Sequence, residues 1–197
     1  MSGLRIEPVP RERYGAIFDD LARLRITVFR DYPYLYDGDL DYERGYLDRF
    51  LAAPGAVVIG AFDGSRLAGA ATASPLGEHH DEFAAPFRER GKEVARLFYF
   101  GESVLEASYR GQGAGVRFFE ERELAARQAG FGETVFSAVV RPKEHSARPK
   151  GYQPLDNFWR NRGYERVEGM TTQFAWKDIG STEETEKPME YWHKYLI

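Results

Sequence analysis

Three glycines are spaced two apart in a segment where a strand pattern gives way to a helix pattern. Gly111, Gly113 and Gly115 lie in the stretch YRGQGAG, between the aromatic and β-branched run ARLFYFGESVLEAS and the helical pattern VRFFEERELAARQAG. Glycines there let the backbone approach a ligand and turn several N–H groups toward one point, beside the positive end of the helix. The loop therefore suits a pyrophosphate; the alternative is a tight strand-to-helix turn without a ligand.

The spacing of these glycines excludes two common pyrophosphate motifs. A dinucleotide-binding fold requires GxGxxG in an early βαβ unit, and a P-loop requires Lys followed by Ser or Thr at the end of the loop. In this chain Ala114 and Val116 occupy those positions, and the unit lies in the middle of the sequence. A different ligand that carries a pyrophosphate is expected.

The pattern of apolar residues predicts one mixed α/β domain over residues 1–197, with the element order β α α β β β α β α β β. Helices are expected around 14–28, 46–51, 116–130 and 155–162, and 75–92 is expected to be a loop with one helical turn at 83–87. Strands are expected at 4–9, 56–62, 67–73, 95–108, 134–140, 171–179 and 189–196.

Two motifs resemble those of the GCN5-related N-acetyltransferases (GNATs). Arg110, Gly113 and Gly115 match the family signature RxxGxG/A, and FWRNRGY at 158–164 is similar to the segment FYxxxGF. The resemblance implies the acyl-CoA N-acyltransferase fold, a central mixed and mostly antiparallel sheet flanked by about four helices. In that fold the fourth and fifth strands splay apart and acetyl-CoA lies between them.

The resemblance also implies which residues bind acetyl-CoA as co-substrate. The backbone of Leu105, Glu106 and Ala107, next to Val104, would hold the pantetheine arm, and the loop Arg110, Gly111, Gln112, Gly113, Ala114 and Gly115 would wrap the pyrophosphate. A basic loop with Arg141, Lys143, Arg148 and Lys150 offers further partners for phosphate oxygens, or is a solvated loop.

Acyl transfer to an amine requires a group that takes a proton, and Glu102 is the candidate general base. Strand alternation predicts that Glu102 shares a face with Phe98, Phe100 and Val104. Alternatively, Glu102 pairs with an arginine such as Arg122, or faces solvent at a bulge.

The sequence does not identify which group returns a proton to the leaving thiolate. Many GNATs use a tyrosine in the FYxxxGF segment, but Trp159 stands at that position here. Tyr152 is the candidate second catalytic residue, and Tyr99, His145 and water are the alternatives.

The stretch DYPYLYDGDLDY, between the first two predicted helices, is the candidate acceptor site. Tyr32, Tyr34, Tyr36 and Asp37 suit a cationic primary amine, through ring faces and a carboxylate. A small-molecule acceptor is expected; the alternatives are a protein or peptide acceptor, a sensor that binds CoA without turnover, and a purely structural aromatic lid.

Composition restricts the class of protein. The 197 residues are 43% hydrophobic with a net charge of -4, so neither nucleic acid nor a membrane is an expected partner. The chain has no cysteine, and a cytoplasmic location is expected. His79 and His80 fit no zinc spacing, so no metal is expected, and a strand of the C-terminal half would permit a homodimer.

Overall fold

The structure is a computed structural model that describes residues 4–78 and 81–196. Seven strands form one sheet in the order β1-β2-β3-β4-β5-β7-β6, and every neighbouring pair is antiparallel except β4 and β5. The strands are β1 (Arg5–Pro8), β2 (Val57–Asp63), β3 (Arg66–Pro75), β4 (Leu97–Leu105), β5 (Glu133–Val139), β6 (Glu165–Lys177) and β7 (Glu184–Tyr195). The predicted mixed, mostly antiparallel sheet is confirmed.

Helices cover both faces of this sheet. They are α1 (Tyr14–Phe29), α2 (Leu40–Ala52), α3 (Asp81–Glu89), α4 (Ala114–Gln128) and α5 (Asp156–Arg160). α1 and α2 bury Leu21 and Leu47 on one face, against Val58 and Val104. α4 buries Phe118 and Phe119 on the opposite face. No helix within 4–78 and 81–196 combines the length and the apolar character needed to cross a membrane.

The segment predicted as a loop with one helical turn contains the full helix α3. Its sequence DEFAAPFRE is polar, but Phe83 and Phe87 lie four residues apart and pack on Tyr99 and Tyr191. Pro86 has no N–H, so it cannot donate the helical hydrogen bond to the Glu82 carbonyl oxygen. The Thr172 hydroxyl donates to that oxygen instead, at 3.1 Å. Tertiary contacts thus stabilise a helix that the local pattern does not indicate.

The last two strands are longer than the sequence predicts. β6 starts at Glu165 rather than 171, and β7 starts at Glu184 rather than 189, within an acidic stretch that was expected to be a loop. The glutamates have low strand propensity, but this part of β7 pairs with β6 in continuous register from Lys177↔Glu184 to Thr171↔Glu190. Pairing with the neighbouring strand outweighs local propensity here.

Candidate active site

The two central parallel strands separate after a short paired stretch. β4 pairs with β5 only from Leu97↔Glu133 to Tyr99↔Val135, although both strands continue beyond that point. The Tyr99 and Ser137 hydroxyls, 2.7 Å apart, link the strands where they part. The remaining β4 edge therefore offers backbone groups to a ligand in the cleft.

A β-bulge in β4 changes which side chains face the helices. Gly101 and Glu102 lie together opposite Thr72, since Ala71 pairs with Ser103 and Ala73 with Phe100. A side chain at position 101 would collide with the Thr72 hydroxyl. The Glu102 N–H donates to that same hydroxyl at 3.3 Å.

Because of the extra residue, the prediction that Glu102 shares a face with Val104 is right, whereas the same prediction for Phe98 and Phe100 is wrong. Phe98 and Phe100 belong to the core beneath α4, whereas Val104 belongs to the core beneath α1 and α2, and the Glu102 carboxylate contacts Arg25 of α1. A bulge shifts the period-two pattern by one residue, so side chains after it appear on the other face.

Arg122 supports the bulge from the opposite side of the sheet. Its guanidinium is buried and donates to the Thr72 and Glu102 carbonyl oxygens, both at 3.3 Å, and to the Ser103 hydroxyl at 2.9 Å. Burial lowers the pKa of Arg122 to about 10. The alternative that Glu102 pairs with an arginine is confirmed, but its partner is Arg25 of α1 and not Arg122, which binds the backbone of Glu102.

The glycine loop presents a row of free N–H groups at the start of α4. Gly111 and Gly113 have φ of 76° and 86°, values that favour glycine, and Gly113 is the N-cap of α4. Among the described residues, no group accepts a hydrogen bond from the N–H groups of residues 111–115. Free N–H groups at a helix N-terminus fit an anion such as pyrophosphate.

Gly115 of the glycine loop lies beside the segment FWRNRGY (158–164) in the structure. A Cβ on Gly115 would lie 3.1 Å from Cζ of Phe158, so glycine allows α5 to approach the start of α4. The next residue, Trp159, packs with ring-centroid distances of 5.1 Å to Phe136 and 5.0 Å to Trp192. The indole at the family's tyrosine position is thus half-buried and packs against the core.

A cavity of about 100 Å³ lies under the first two helices and reaches the two separating strands. Gly101 and Glu102 of β4 and Ser137 of β5 form part of its wall. Nine aromatic side chains form most of the rest: Phe29, Tyr34, Tyr36, Tyr42, Tyr46, Phe83, Tyr99, Phe174 and Trp176.

Three charged side chains line this cavity, and they contact one another. Arg25 bonds Glu43 through Nε and Glu102 through Nη1, at 2.6 Å for the latter pair, and its guanidinium carbon lies 4.3 Å from the Tyr46 ring centroid. Glu43 and Glu102 are 0% and 7% exposed. The two carboxylates raise the pKa of Arg25 against the opposing effect of its burial.

The tyrosine loop, residues 31–39, contributes only part of its predicted residues to the cavity. Tyr34 and Tyr36 line it. Tyr32 instead packs edge-on against Tyr152 at 4.7 Å, and Asp37 lies outside, 2.9 Å from Lys177. The Lys177 hydrogen bond and charge hold the pKa of Asp37 below its usual value.

Contacts with the end of β6 and with the basic loop, residues 141–154, fix the tyrosine loop in place. Arg141 donates to the Pro33 and Tyr34 carbonyl oxygens at 2.8 and 2.7 Å and pairs with Asp178 at 2.8 Å. The Trp176 indole N–H also donates to the Tyr34 carbonyl, at 2.9 Å. Arg141 is therefore committed to this contact and is not free for a phosphate.

Two candidate proton carriers, Tyr152 and His145, lie outside the cavity wall, whereas Tyr99 lines it. Tyr152 and His145 pack on Tyr32, with ring centroids 4.7 and 5.9 Å away. Glu106 pairs with Arg66. His79 and His80 lie outside the described residues, and the described parts of the chain bring together no group of three His, Asp or Glu suited to a metal.

Two charged residues of the site, Arg25 and Glu43, are not among the candidates predicted from the sequence. Both stand on amphipathic helices at positions that face the core, where an ionisable residue is unusual. That placement was a signal that could have identified them.

The comparisons with known proteins concern the fold. No protein-family model matches the sequence, and no curated protein matches it in sequence. An aminoglycoside 6'-N-acetyltransferase complexed with coenzyme A has a TM-score of 0.64 and 17% identity, over 98% of this chain and 97% of that chain. A ribosomal-protein-alanine N-acetyltransferase from Brucella melitensis has a TM-score of 0.63 and 14% identity, over 98% of this chain and 100% of that chain.

A third solved structure carries the name of the family. An acetyltransferase of the GNAT family from Staphylococcus aureus Mu50 has a TM-score of 0.59 and 10% identity, over 99% of this chain and 100% of that chain. The strand order, the separation of β4 from β5 and the glycine loop before α4 are thus accompanied by similarity along the whole chain. The chain has the fold of the GNAT acetyltransferases, which confirms, at the level of the fold, the resemblance inferred from its two motifs.

Proposed function

We propose that this protein is an N-acetyltransferase that transfers the acetyl group of acetyl-CoA to a primary amine of a small molecule, by direct attack in a ternary complex. The observation that carries the proposal is the composition of the cavity wall. Gly101, Glu102 and Ser137 belong both to the cavity and to the separating strands. An acceptor in the cavity and an acyl group in the cleft would therefore meet at the β4 bulge.

The glycine loop supports acetyl-CoA as the donor. Its free N–H groups and the positive end of α4 suit the pyrophosphate. Arg110 is placed beside this loop, with Nε 3.2 Å from the Leu105 carbonyl oxygen and the side chain about half exposed. The unpaired edge of β4 would bind the pantetheine arm and supply N–H donors to the oxyanion that forms during transfer. The coenzyme A bound in one similar structure agrees with this assignment.

In the proposed reaction Glu102 is the general base. The acceptor enters as an ammonium and loses one proton to the Glu102 carboxylate. Its nitrogen then bonds to the acetyl carbon, the carbon–sulfur bond breaks, and the electron pair stays on sulfur. The second proton of the nitrogen ends on the thiol, so the products are the amide, free CoA and protonated Glu102.

Tyr99 is a poor choice for the acid that protonates the thiolate. Burial raises its pKa well above the ordinary value, whereas efficient acid catalysis requires a pKa near the working pH. Tyr152 lies outside the cavity wall, packed on Tyr32. We therefore assign Tyr99 a hydrogen-bonding role between the strands, and assign the thiolate proton to water in the cleft.

The small volume and the aromatic wall of the cavity favour a small acceptor over a protein. Tyr34 and Tyr36 of the tyrosine loop cover it, and Arg141 and Trp176 hold that loop to β6. A peptide would require an open groove at this position. A cavity of about 100 Å³ whose wall is mostly aromatic suits a small substrate instead.

A thiol-release assay tests the proposal. Acetyl-CoA is mixed with the protein and a panel of amines, amino acids and peptides, and products are identified by mass spectrometry. We expect thiol release with small primary amines and a matching N-acetyl product. If acetyl-CoA raises the thermal midpoint but no amine releases thiol, the protein is a CoA-binding sensor; preferred release with peptides would favour the protein-acceptor alternative.

A further inference from the structure

The three charged groups of the cavity leave one negative charge without a partner. Arg25 supplies one positive charge, and Glu43 and Glu102 supply two negative charges when ionised. Arg25, Glu43 and Glu102 are the charged residues in the described cavity wall. A buried charge is expensive unless a counter-charge balances it.

Each carboxylate also has one oxygen without a hydrogen-bond donor. Arg25 contacts Oε2 of Glu43 and Oε2 of Glu102. Oε1 of both residues is buried, and no donor among the described residues is in hydrogen-bonding geometry to it. Buried polar atoms normally have a partner, so these two oxygens indicate a missing donor.

Tyr36 interacts with the Glu43 carboxylate, but Oε1 of Glu102 still has no donor among the described residues. Burial together with the Glu43 carboxylate raises the pKa of Tyr36. The phenol remains neutral and cannot balance the charge. A positively charged hydrogen-bond donor from outside the chain can satisfy both requirements at once.

The other side chains of the cavity wall restrict which further chemical groups the ligand of that cavity can have. The nine aromatic rings present apolar edges and faces, which favour an apolar body and attract a cation. A second ammonium would find no further carboxylate in the described wall. A carboxylate on the ligand would be repelled by the charge already present.

We propose that the acceptor is an amine with a single positive charge and a compact apolar body, of the arylalkylamine type, and that Glu43 selects it. The ammonium donates to the free carboxylate oxygens while the apolar body lies among the rings. This inference rests on the proposed function for the identity of the site.

Glu43 also has a role when the proton moves. Once Glu102 is protonated it no longer balances Arg25, but Glu43 still does, so the buried guanidinium keeps one counter-charge throughout. Before transfer the ammonium balances the extra negative charge, and afterwards the protonated Glu102 and the amine are both neutral. The site therefore stays close to electrical neutrality through the step, without a large desolvation cost.

The test measures amine binding and acetylation separately. Binding is measured by calorimetry in the presence of CoA, and turnover by thiol release with acetyl-CoA. The ligands are 2-phenylethylamine, the zwitterion phenylalanine, the polycation spermidine and the neutral 2-phenylethanol. We expect at least about tenfold tighter binding of 2-phenylethylamine than of the other three, a difference typical of one charge-assisted hydrogen bond.

Glu43→Gln is compared with Asp48→Asn, an exposed residue of the same helix. Glu43→Gln should weaken 2-phenylethylamine binding by about tenfold or more and leave 2-phenylethanol unchanged, whereas Asp48→Asn should alter neither. Preference of the wild type for spermidine, phenylalanine or 2-phenylethanol would overturn the inference, even if Glu43→Gln failed to fold. Selective amine binding without thiol release would instead overturn the proposed function, and with it the role of this amine as acceptor, and would leave only the selectivity of the cavity for such an amine.

Discussion

The glycine loop and the cavity beneath the tyrosine loop are built by opposite means. The glycine loop offers backbone N–H groups from five consecutive residues, 111–115, and its φ values and close contacts depend on glycine. The cavity depends on side chains from α1, α2, β4, β5 and β6, and its charged members must balance one another. A local site of the first kind tolerates most changes elsewhere, whereas a site of the second kind couples ligand binding to protein stability.

The largest effect is expected from Gly113→Asp, which should abolish acetyl-CoA binding. The substitution adds bulk and negative charge where the N–H groups would meet the pyrophosphate. In the wild type, acetyl-CoA at about 100 times its Kd should stabilise the fold by about 2.7 kcal/mol. Thermal unfolding with and without acetyl-CoA measures this, and the shift should be absent in the variant.

Gly130→Asp is the matched control for this variant. Gly130 follows the other end of α4, has φ of 84°, and a Cβ there would contact nothing within 4 Å. Both variants carry the same left-handed backbone strain and the same charge. If Gly113→Asp kept the acetyl-CoA shift, or if Gly130→Asp lost it, the assignment of the loop would fail.

The next largest effect concerns the contribution of the cavity charges to the stability of the fold. Arg25→Met should destabilise the fold by about 3 kcal/mol, because it leaves Glu43 and Glu102 buried without their common counter-charge. Arg23→Met, two residues earlier on α1, removes only exposed pairs with Asp19 and Asp20 and should cost less than about 1 kcal/mol. Urea unfolding of both variants provides the comparison, and equal costs would contradict the coupling of cavity charge to stability.

The smallest expected effect is a loss of folding stability at alkaline pH. Burial raises the pKa of Tyr34 to about 12, above its usual value of about 10 in an unfolded chain. A raised pKa in the folded state contributes stability that is complete below about pH 10 and is lost as the pH rises toward 12. The wild type should therefore lose about 1 kcal/mol more than Tyr34→Phe between about pH 8 and pH 11 in urea unfolding. Equal losses would show that the Tyr34 phenol titrates normally.

The same contrast explains what the sequence could and could not predict. The glycine loop is contiguous and repeats a fixed spacing, so its position between β4 and α4 could be predicted from YRGQGAG alone. Arg25 and Glu43 could be placed on helices but not paired, because the crossing of α1 and α2 brings them together from 18 residues apart. The face of Glu102 depended on a bulge opposite Thr72, which strand alternation does not include.

The tyrosine loop shows a second limit of prediction from residue type. Aromatic and acidic residues at 31–39 indicate an acceptor site, but in the structure the Asp37 carboxylate forms an ion pair with Lys177. Likewise Arg141, a candidate phosphate ligand, was already bound to Asp178 and to the loop backbone. Residue type predicts what a side chain can bind, and only the fold decides which available partner lies nearest.

The variant Glu102→Gln distinguishes one shared active site at Glu102 from two separate sites in the cavity and the cleft. Steady-state kinetics should give a kcat about a hundredfold lower than that of the wild type, while the Kd for acetyl-CoA, measured by calorimetry, stays the same. Glu93→Gln, at an exposed glutamate, is the control for the loss of one carboxylate. A kcat equal to that of the wild type at every pH, in a folded Glu102→Gln variant, would contradict the account.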